Sequence, residues 1–268
     1  MKSNNPSSFV KTEIDHKNKI VIKKFENPYK MKRYIRILAY LNALGFPVNE
    51  IIDVDFNNNI IKLKYIEGFD LSEIYFKMEK SDKQKILNNF ARLIYKLHTN
   101  IKAKILIPFS EYIKIKYKQR IESLKNKNKI VYRFSKQLIN TIDSKITELS
   151  LIHGDLNLKN VIIDENYNIV GILDWECAEY FDPLYDLAIF EVFNFPLLSK
   201  EERMHFIKKY LDLANISYSY YHQIKIPYQY LRLLDLRNAD IDDKIIEEVI
   251  SMIETNKNID ILRFLPKK

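Results

Sequence analysis

A chain of 268 residues with 47% apolar content is long enough to bury a sizeable core, as one large domain or as two lobes. Its single cysteine, Cys177, excludes an internal disulfide and a zinc site built of cysteines, so any metal must be held by oxygen or imidazole. The net charge of +8 comes from lysines scattered among many Asn and Ile, which argues against a nucleic-acid face, and no run of about 18 uncharged apolar residues exists; a cytoplasmic protein with no membrane span is expected.

Residues 9–15 and 19–26 read as two short strands joined by the polar turn His16 to Asn18. Tyr34, Ile37, Leu38, Leu41 and Leu44 then recur at helical spacing within 31–44, and Gly45 and Pro47 close that helix. A second hairpin is predicted from 51–56 and 60–66 across Asn57, Asn58 and Asn59. The first 67 residues are thus a small sheet with one helix. Gly68 marks a boundary, and the remainder reads as mainly helical. Ser81 and Gln84 make a capping box for a helix carrying Ile86, Phe90, Leu93, Ile94 and Leu97 on one face. Two basic helices are predicted over 111–124 and 132–149, split by the lysine and asparagine run 125–129.

The stretch LIHGDLNLKNVIID, residues 151–164, places one His, two Asp and two Asn inside an otherwise apolar segment. Strands are predicted at 149–152, 161–163 and 169–173, the last two joined by the turn 164–168. Residues 153–160 are then a loop clamped at both ends, and Asp174 follows the third strand directly. Strand ends hold side chains at the rim of a core, so Asp155, Asn160 and Asp174 can converge, as a magnesium site for phosphoryl transfer requires. Magnesium keeps several waters and the phosphate oxygens of its nucleotide, so one Asp and one Asn suffice, and the other Asp is left to orient a hydroxyl. Eight acids also fall between Lys159 and Lys200, where no Lys or Arg occurs. Gathered like charge points to a metal ion or a cationic ligand, although Asp164, Glu165 and Asp182 read as solvated loop or helix-start carboxylates.

These motifs resemble the protein-kinase-like phosphotransferases, and more narrowly the aminoglycoside phosphotransferase and choline kinase superfamily. HGD at 153–155 stands where a protein kinase has His-Arg-Asp, and DWE at 174–176 replaces Asp-Phe-Gly. HGDLNLKN and DWECAEYFDPLYDLA are typical of the small-molecule branch. The resemblance implies an α+β, bilobal protein-kinase-like fold: a nucleotide-binding N-lobe over 1–67, built of a small antiparallel sheet and one helix, and a larger, mainly helical, catalytic and substrate-binding C-lobe over 68–268, with YIEG at 65–68 as the hinge. It implies that Asp155 accepts or orients the proton of a substrate hydroxyl, that Asn160 and Asp174 bind Mg2+, and that Lys23 reaches the phosphates of ATP or GTP. Asp186 follows a helix start at Asp182 and Pro183, and by resemblance accepts hydrogen bonds from the catalytic-loop backbone. His153 is expected to support the site structurally, and Trp175 to pack.

Strand alternation lets only one of Lys23 and Lys24 point inward, and Lys23 is the choice. The glutamate that pairs with this lysine in the resembling kinases has no counterpart, because the aligned position, four before Leu38, is Tyr34. No Gly-rich loop is visible either; SNNPSS, at 3–8, occupies its place.

The expected function is therefore an ATP-dependent kinase of a small hydroxylated molecule. Aminoglycosides are the first substrate class, as a cationic partner for Glu176, Glu179, Glu191 and Asp235, with Asp240, Asp242 and Asp243 nearby in sequence. Choline or ethanolamine, held by aromatic rings among Tyr218, Tyr220, Tyr221, Tyr228 and Tyr230, is an alternative, as is a sugar. A catalytically silent nucleotide-binding protein is the alternative from a different class, on the ground of the absent glutamate. A protein kinase is not expected: the nine residues from Asp174 to Pro183 leave little room for a peptide-docking loop.

Overall fold

The computed structural model describes residues 10–124, 132, 146–194 and 197–237, without the side chains of 119–121, 123, 124, 227 and 233–237. The SNNPSS stretch, the run 125–129, most of the second basic helix, and Asp240, Asp242 and Asp243 lie outside these residues, as does the side chain of Asp235. The described residues form two compact units. One comprises 10–89 and 157–178, the other the remainder. The first unit is therefore discontinuous in sequence, with limits at Asn89 and around the 157–178 segment.

In the first unit, β1 (Val10–Asp15), β2 (Ile20–Phe25), β3 (Ile51–Asp55) and β4 (Ile60–Lys64) make one antiparallel sheet in the order β1-β2-β4-β3. Helix α1 (Pro28–Ala43) starts three residues ahead of the expectation. Asn27 caps it, accepting from the Tyr29 amide at 2.8 Å, and Pro28 supplies a preset φ in the first turn. Met31, Tyr34, Leu38 and Leu41 form its buried stripe.

A second antiparallel sheet, β5 (Phe69–Asp70), β8 (Val161–Ile163) and β9 (Ile169–Ile172), completes this unit in the order β5-β8-β9. Gly68 explains how the chain enters it. Its φ is +148°, and a Cβ there would sit 2.5 Å from the Ile163 carbonyl oxygen, so only glycine allows the chain to pass so close to β8. The single-turn helix α2 (Leu71–Ile74) follows β5 at once, because the Asp70 carboxylate caps it by accepting from the Ser72 amide at 2.8 Å.

Three hairpins of this unit share one turn device. Asp15 accepts from the Asn18 amide and side chain, Asp55 from Asn57, Asn58 and the Asn58 side chain, and Asp164 from Asn166, Asn168 and the Asn168 side chain. An Asp at the strand end thus satisfies turn amides that no ladder can reach. The left-handed residues Lys19, Asn59 and Tyr167 complete the three turns. Side-chain hydrogen bonds from Asn58 and Asn168 pull the Asp55 and Asp164 carboxyls below their ordinary range.

The second unit holds the antiparallel sheet β10-β7-β6, from β6 (Lys102–Lys104), β7 (Glu148–Ile152) and β10 (Glu179–Phe181). Residues 148 and 149 are strand, not the end of a helix as the basic pattern suggested, because they pair with Lys104 and Ala103 of β6. Around it lie α4 (Phe109–Leu124), α5 (Leu184–Phe193), α6 (Lys200–Ala214), α7 (Tyr218–Arg237) and the later part of α3 (Lys80–Asn100). Helix α3 begins at Lys80, so Ser81 lies inside the first turn and is not its N-cap. Helix α5 is buried continuously from Leu184 to Phe190, which makes it the core of this unit. Phe190 stacks on Phe206 with centroids 3.9 Å apart, and Phe90 packs against both.

Candidate functional site

Candidate residues occur in each of the two units. In the first, the β8–β9 register pairs Val161 with Ile172, and the Leu173 amide donates to the Asn160 carbonyl at 2.8 Å. This register brings Asn160 and Asp174 to the same end of one hairpin. Asp174 turns the chain with left-handed angles, φ 65° and ψ 53°, which cost a non-glycine residue about 1 kcal/mol or more and persist only where the surroundings hold them. Trp175 does much of that holding. It is fully buried, its Nε1 donates to the Ile172 carbonyl at 2.8 Å, and its ring meets the edge of Phe46 at 5.8 Å.

Strand β2 alternates buried Val21, Lys23 and Phe25 with exposed Lys24, so Lys23 is the inward lysine. Its Nζ donates to Asp174 Oδ1 at 3.1 Å and to the Glu176 carboxylate. Burial pulls the amine's pKa down, but the Asp174 and Glu176 carboxylates outweigh it and hold Lys23 firmly protonated. Burial, followed by the Asp174 charge, pushes Glu176 upward, and Lys23 opposes this. Tyr34 is buried with its ring centroid 5.5 Å from Lys23 Nζ, in reach of a cation–π contact.

In the second unit, Asp186 on α5 organises the loop that carries Asp155. It is fully buried, and its two oxygens accept from the His153 amide at 2.7 Å and the Gly154 amide at 2.8 Å. His98 Nε2 lies 3.1 Å from the same carboxylate, while His98 Nδ1 is 2.7 Å from the Tyr210 hydroxyl. A buried carboxylate survives only with such donors. His153 is also buried; its Nδ1 accepts from the Asp155 amide at 3.2 Å. Arg232 on α7 donates from Nη2 to Asp155 Oδ1 at 2.7 Å, with its guanidinium carbon 5.3 Å from the centroid of Phe193.

Members of the acidic run are met by cations of the chain itself. Lysines from distant segments pair with its members: Lys23 with Asp174 and Glu176, Lys116 with Glu179 at 2.6 Å, and Lys225 with Glu191 at 2.7 Å. Glu176 and Glu179, expected as substrate contacts, are engaged in these pairs. Asp182 is not a solvated helix-start carboxylate either. It is buried, accepts from the Leu184 amide at 2.9 Å and from the Tyr228 hydroxyl, and burial raises its pKa against the effect of that hydroxyl. Tyr221, Tyr228 and Tyr230, candidates for an aromatic cage, are buried packing residues. Asp164 and Glu165 do lie in the β8–β9 turn as expected.

Sequence reasoning missed His98, Tyr210, Arg232, Lys116 and Lys225. None lies in a motif, and each meets its partner across 30 or more positions in sequence, so local patterning held no sign of them. Among the described residues no three His, Cys, Asp or Glu side chains cluster to hold a metal. An ion that takes one carboxylate and one amide oxygen needs no such cluster.

A buried lysine from an antiparallel sheet, an Asp and an Asn at one hairpin end, and an HGD loop hung from a buried helix carboxylate define a protein with the protein-kinase-like fold. The profile of the phosphotransferase enzyme family (APH) matches residues 7–221, and the chain belongs to that family. The aminoglycoside phosphotransferase APH(2″)-IIa, solved with gentamicin, superposes with a TM-score of 0.69 at 15% identity over 99% of this chain and 92% of that one. Its complex with streptomycin and ATP gives 0.64, at 15% identity over 96% and 90% of the two chains. The choline kinase LicA from Streptococcus pneumoniae gives 0.67, at 19% identity over 92% and 90%. At these identities the likeness is one of fold. A curated relative, the uncharacterized protein YcbJ of Bacillus subtilis (strain 168), is 43% identical over 42 residues, which span 16% of this chain and 14% of that protein. No helix among the described residues is long and apolar enough to cross a membrane.

Proposed function

We propose that the protein transfers the terminal phosphoryl group of ATP or GTP to a hydroxyl of a small molecule. The observation that carries this reading is the ion pair between Lys23, on the sheet, and Asp174, at the hairpin end that also bears Asn160. In this reading Lys23 holds the nucleotide phosphates, and Asp155 orients the acceptor hydroxyl from a loop that Asp186 keeps rigid. Positioning and charge neutralisation are what phosphoryl transfer demands of a protein. Asn160 and Asp174 offer the hard oxygen donors that suit Mg2+, which when bound there would neutralise charge on the phosphates.

The silent nucleotide-binding alternative rested on a lysine without a carboxylate partner, and Glu176 removes that ground. Aminoglycosides remain the first substrate class to try, supported by the fold shared with an enzyme solved with gentamicin and streptomycin; amino alcohols follow, given the likeness to a choline kinase.

The test is to incubate the protein with Mg2+ and ATP or GTP and a panel of aminoglycosides, amino alcohols and sugars, and to follow nucleoside diphosphate release. Asp155→Asn should lower turnover on the accepted substrate by roughly 10²-fold or more with nucleotide affinity little changed, while Asp174→Asn should weaken nucleotide binding as well. Nucleotide binding without turnover on any acceptor, or equal near-normal rates in both variants, would contradict the proposal.

A further inference from the structure

We infer that Glu176 is the positioning residue for Lys23, taking the place of the helix glutamate that serves this lysine in protein kinases. The inference rests on the proposed nucleotide role of Lys23 and concerns how that side chain is held.

Helix α1 cannot supply the carboxylate. Its residue closest in place, Tyr34, presents a buried ring to Lys23, and the Tyr34 hydroxyl has no hydrogen-bond partner among the described residues. A phenol that burial keeps protonated brings no charge to fix an ammonium group. The carboxylate comes instead from the turn after β9. Glu176 reaches Lys23 from the 3₁₀ turn Trp175–Cys177, two residues after Asp174. The side chain of Glu176 is 22% exposed and that of Lys23 9%, so the pair is shielded from the screening that weakens surface ion pairs.

Helix α1 contributes at one remove. Arg33 Nη2 donates to the Glu176 carbonyl oxygen at 2.8 Å, so the helix fixes the backbone of residue 176 and the side chain of that residue fixes the lysine. In the helix-glutamate arrangement the lysine and the metal-binding Asp are set by different elements. Here both are set by the segment 174–176, anchored by buried Trp175. If Asp174 turns from Lys23 to a metal ion, Glu176 remains to keep the ammonium group in place.

The experiment is a double-substitution cycle with Lys23→Met and Glu176→Gln, reading the dissociation constant of Mg-ATP by calorimetry, with no acceptor present. Glu176→Gln alone should weaken binding about tenfold, and it should add less than about twofold once Lys23 is Met, because the carboxylate acts only through the amine. Glu176→Asp, which keeps the charge, should lie between wild type and Glu176→Gln. Wild-type affinity in Glu176→Gln overturns the inference. So does an equal loss in the Lys23→Met background, and if excess Mg2+ then restores binding, Glu176 belongs to the metal and not to the lysine. Failure of the wild-type protein to bind Mg-ATP at all would strike the proposed function itself, a result separable from the others.

Discussion

Arg232 meets Asp155 77 positions away in sequence, in a 2.7 Å ion pair with side chains only 13% and 25% exposed. The carboxylate proposed to face the acceptor hydroxyl is therefore already balanced by a guanidinium from α7. A pair this shielded is worth more than a surface pair, since the partner left behind by a single substitution remains a poorly solvated charge. A denaturant-unfolding cycle of Asp155→Asn, Arg232→Gln and the double variant should give a coupling of about 1–3 kcal/mol. A coupling near zero would mean that the pair does not form in solution.

Asp186 should be among the least replaceable polar residues of the second unit. Its carboxylate accepts from two loop amides and faces His98 with no exposure to water. Asp186→Asn replaces one acceptor oxygen with a donor NH2, which must confront an amide proton or His98. We expect a loss of about 2–4 kcal/mol in unfolding free energy, measured by urea titration, together with lower phosphoryl-transfer activity. Stability within about 0.5 kcal/mol of wild type, on the order of a surface substitution, would refute this account of the loop.

Asp182 predicts a pH effect. Burial raises its pKa in the folded state, with the Tyr228 hydroxyl and the Leu184 amide opposing. For an acid with a raised folded pKa, the favourable contribution is complete below the unfolded value and is lost as pH rises through the folded value. Removing the titration should therefore help the variant increasingly at higher pH. Unfolding free energies of wild type and Asp182→Asn, compared from about pH 4 to about pH 7, should shift in favour of the variant with rising pH; a constant difference, or the opposite slope, would contradict the burial argument.

Gly68 offers a test of the chain path. Its φ is +148°, and only 2.5 Å would separate a Cβ at this position from the Ile163 carbonyl oxygen, which leaves no room for alanine. Gly68→Ala should destabilise the protein by roughly 2 kcal/mol or more, seen as a lower thermal midpoint. An unchanged midpoint would show that the backbone shifts freely at this point.

Much of this could be read along the chain. The hairpin turns were legible because Asp15, Asp55 and Asp164 are each followed within four residues by the Asn that they hold, a local device. Lys23 was legible from strand alternation, and helix α1 from its apolar spacing, though its start was not, since the Asn27–Pro28 cap lies ahead of the first apolar residue of the buried stripe. The strand at 148–152 was blurred with the helix predicted over 132–149, because a short strand draws its stability from its partner strands, which lie far off in sequence.

The sequence by itself determined which residues are proposed to carry the chemistry, since the resemblance that singles out Asp155, Asn160 and Asp174 lies in motifs and their spacing along the chain. Only the tertiary structure decided the charge partners. Whether an acid awaits a cation from outside depends on which lysine or arginine packs beside it. Here Glu176, Glu179, Glu191 and Asp155 are each met by a cation from a remote segment. Coulomb attraction depends on distance in space and on shielding from water, and neither can be read from spacing along a chain.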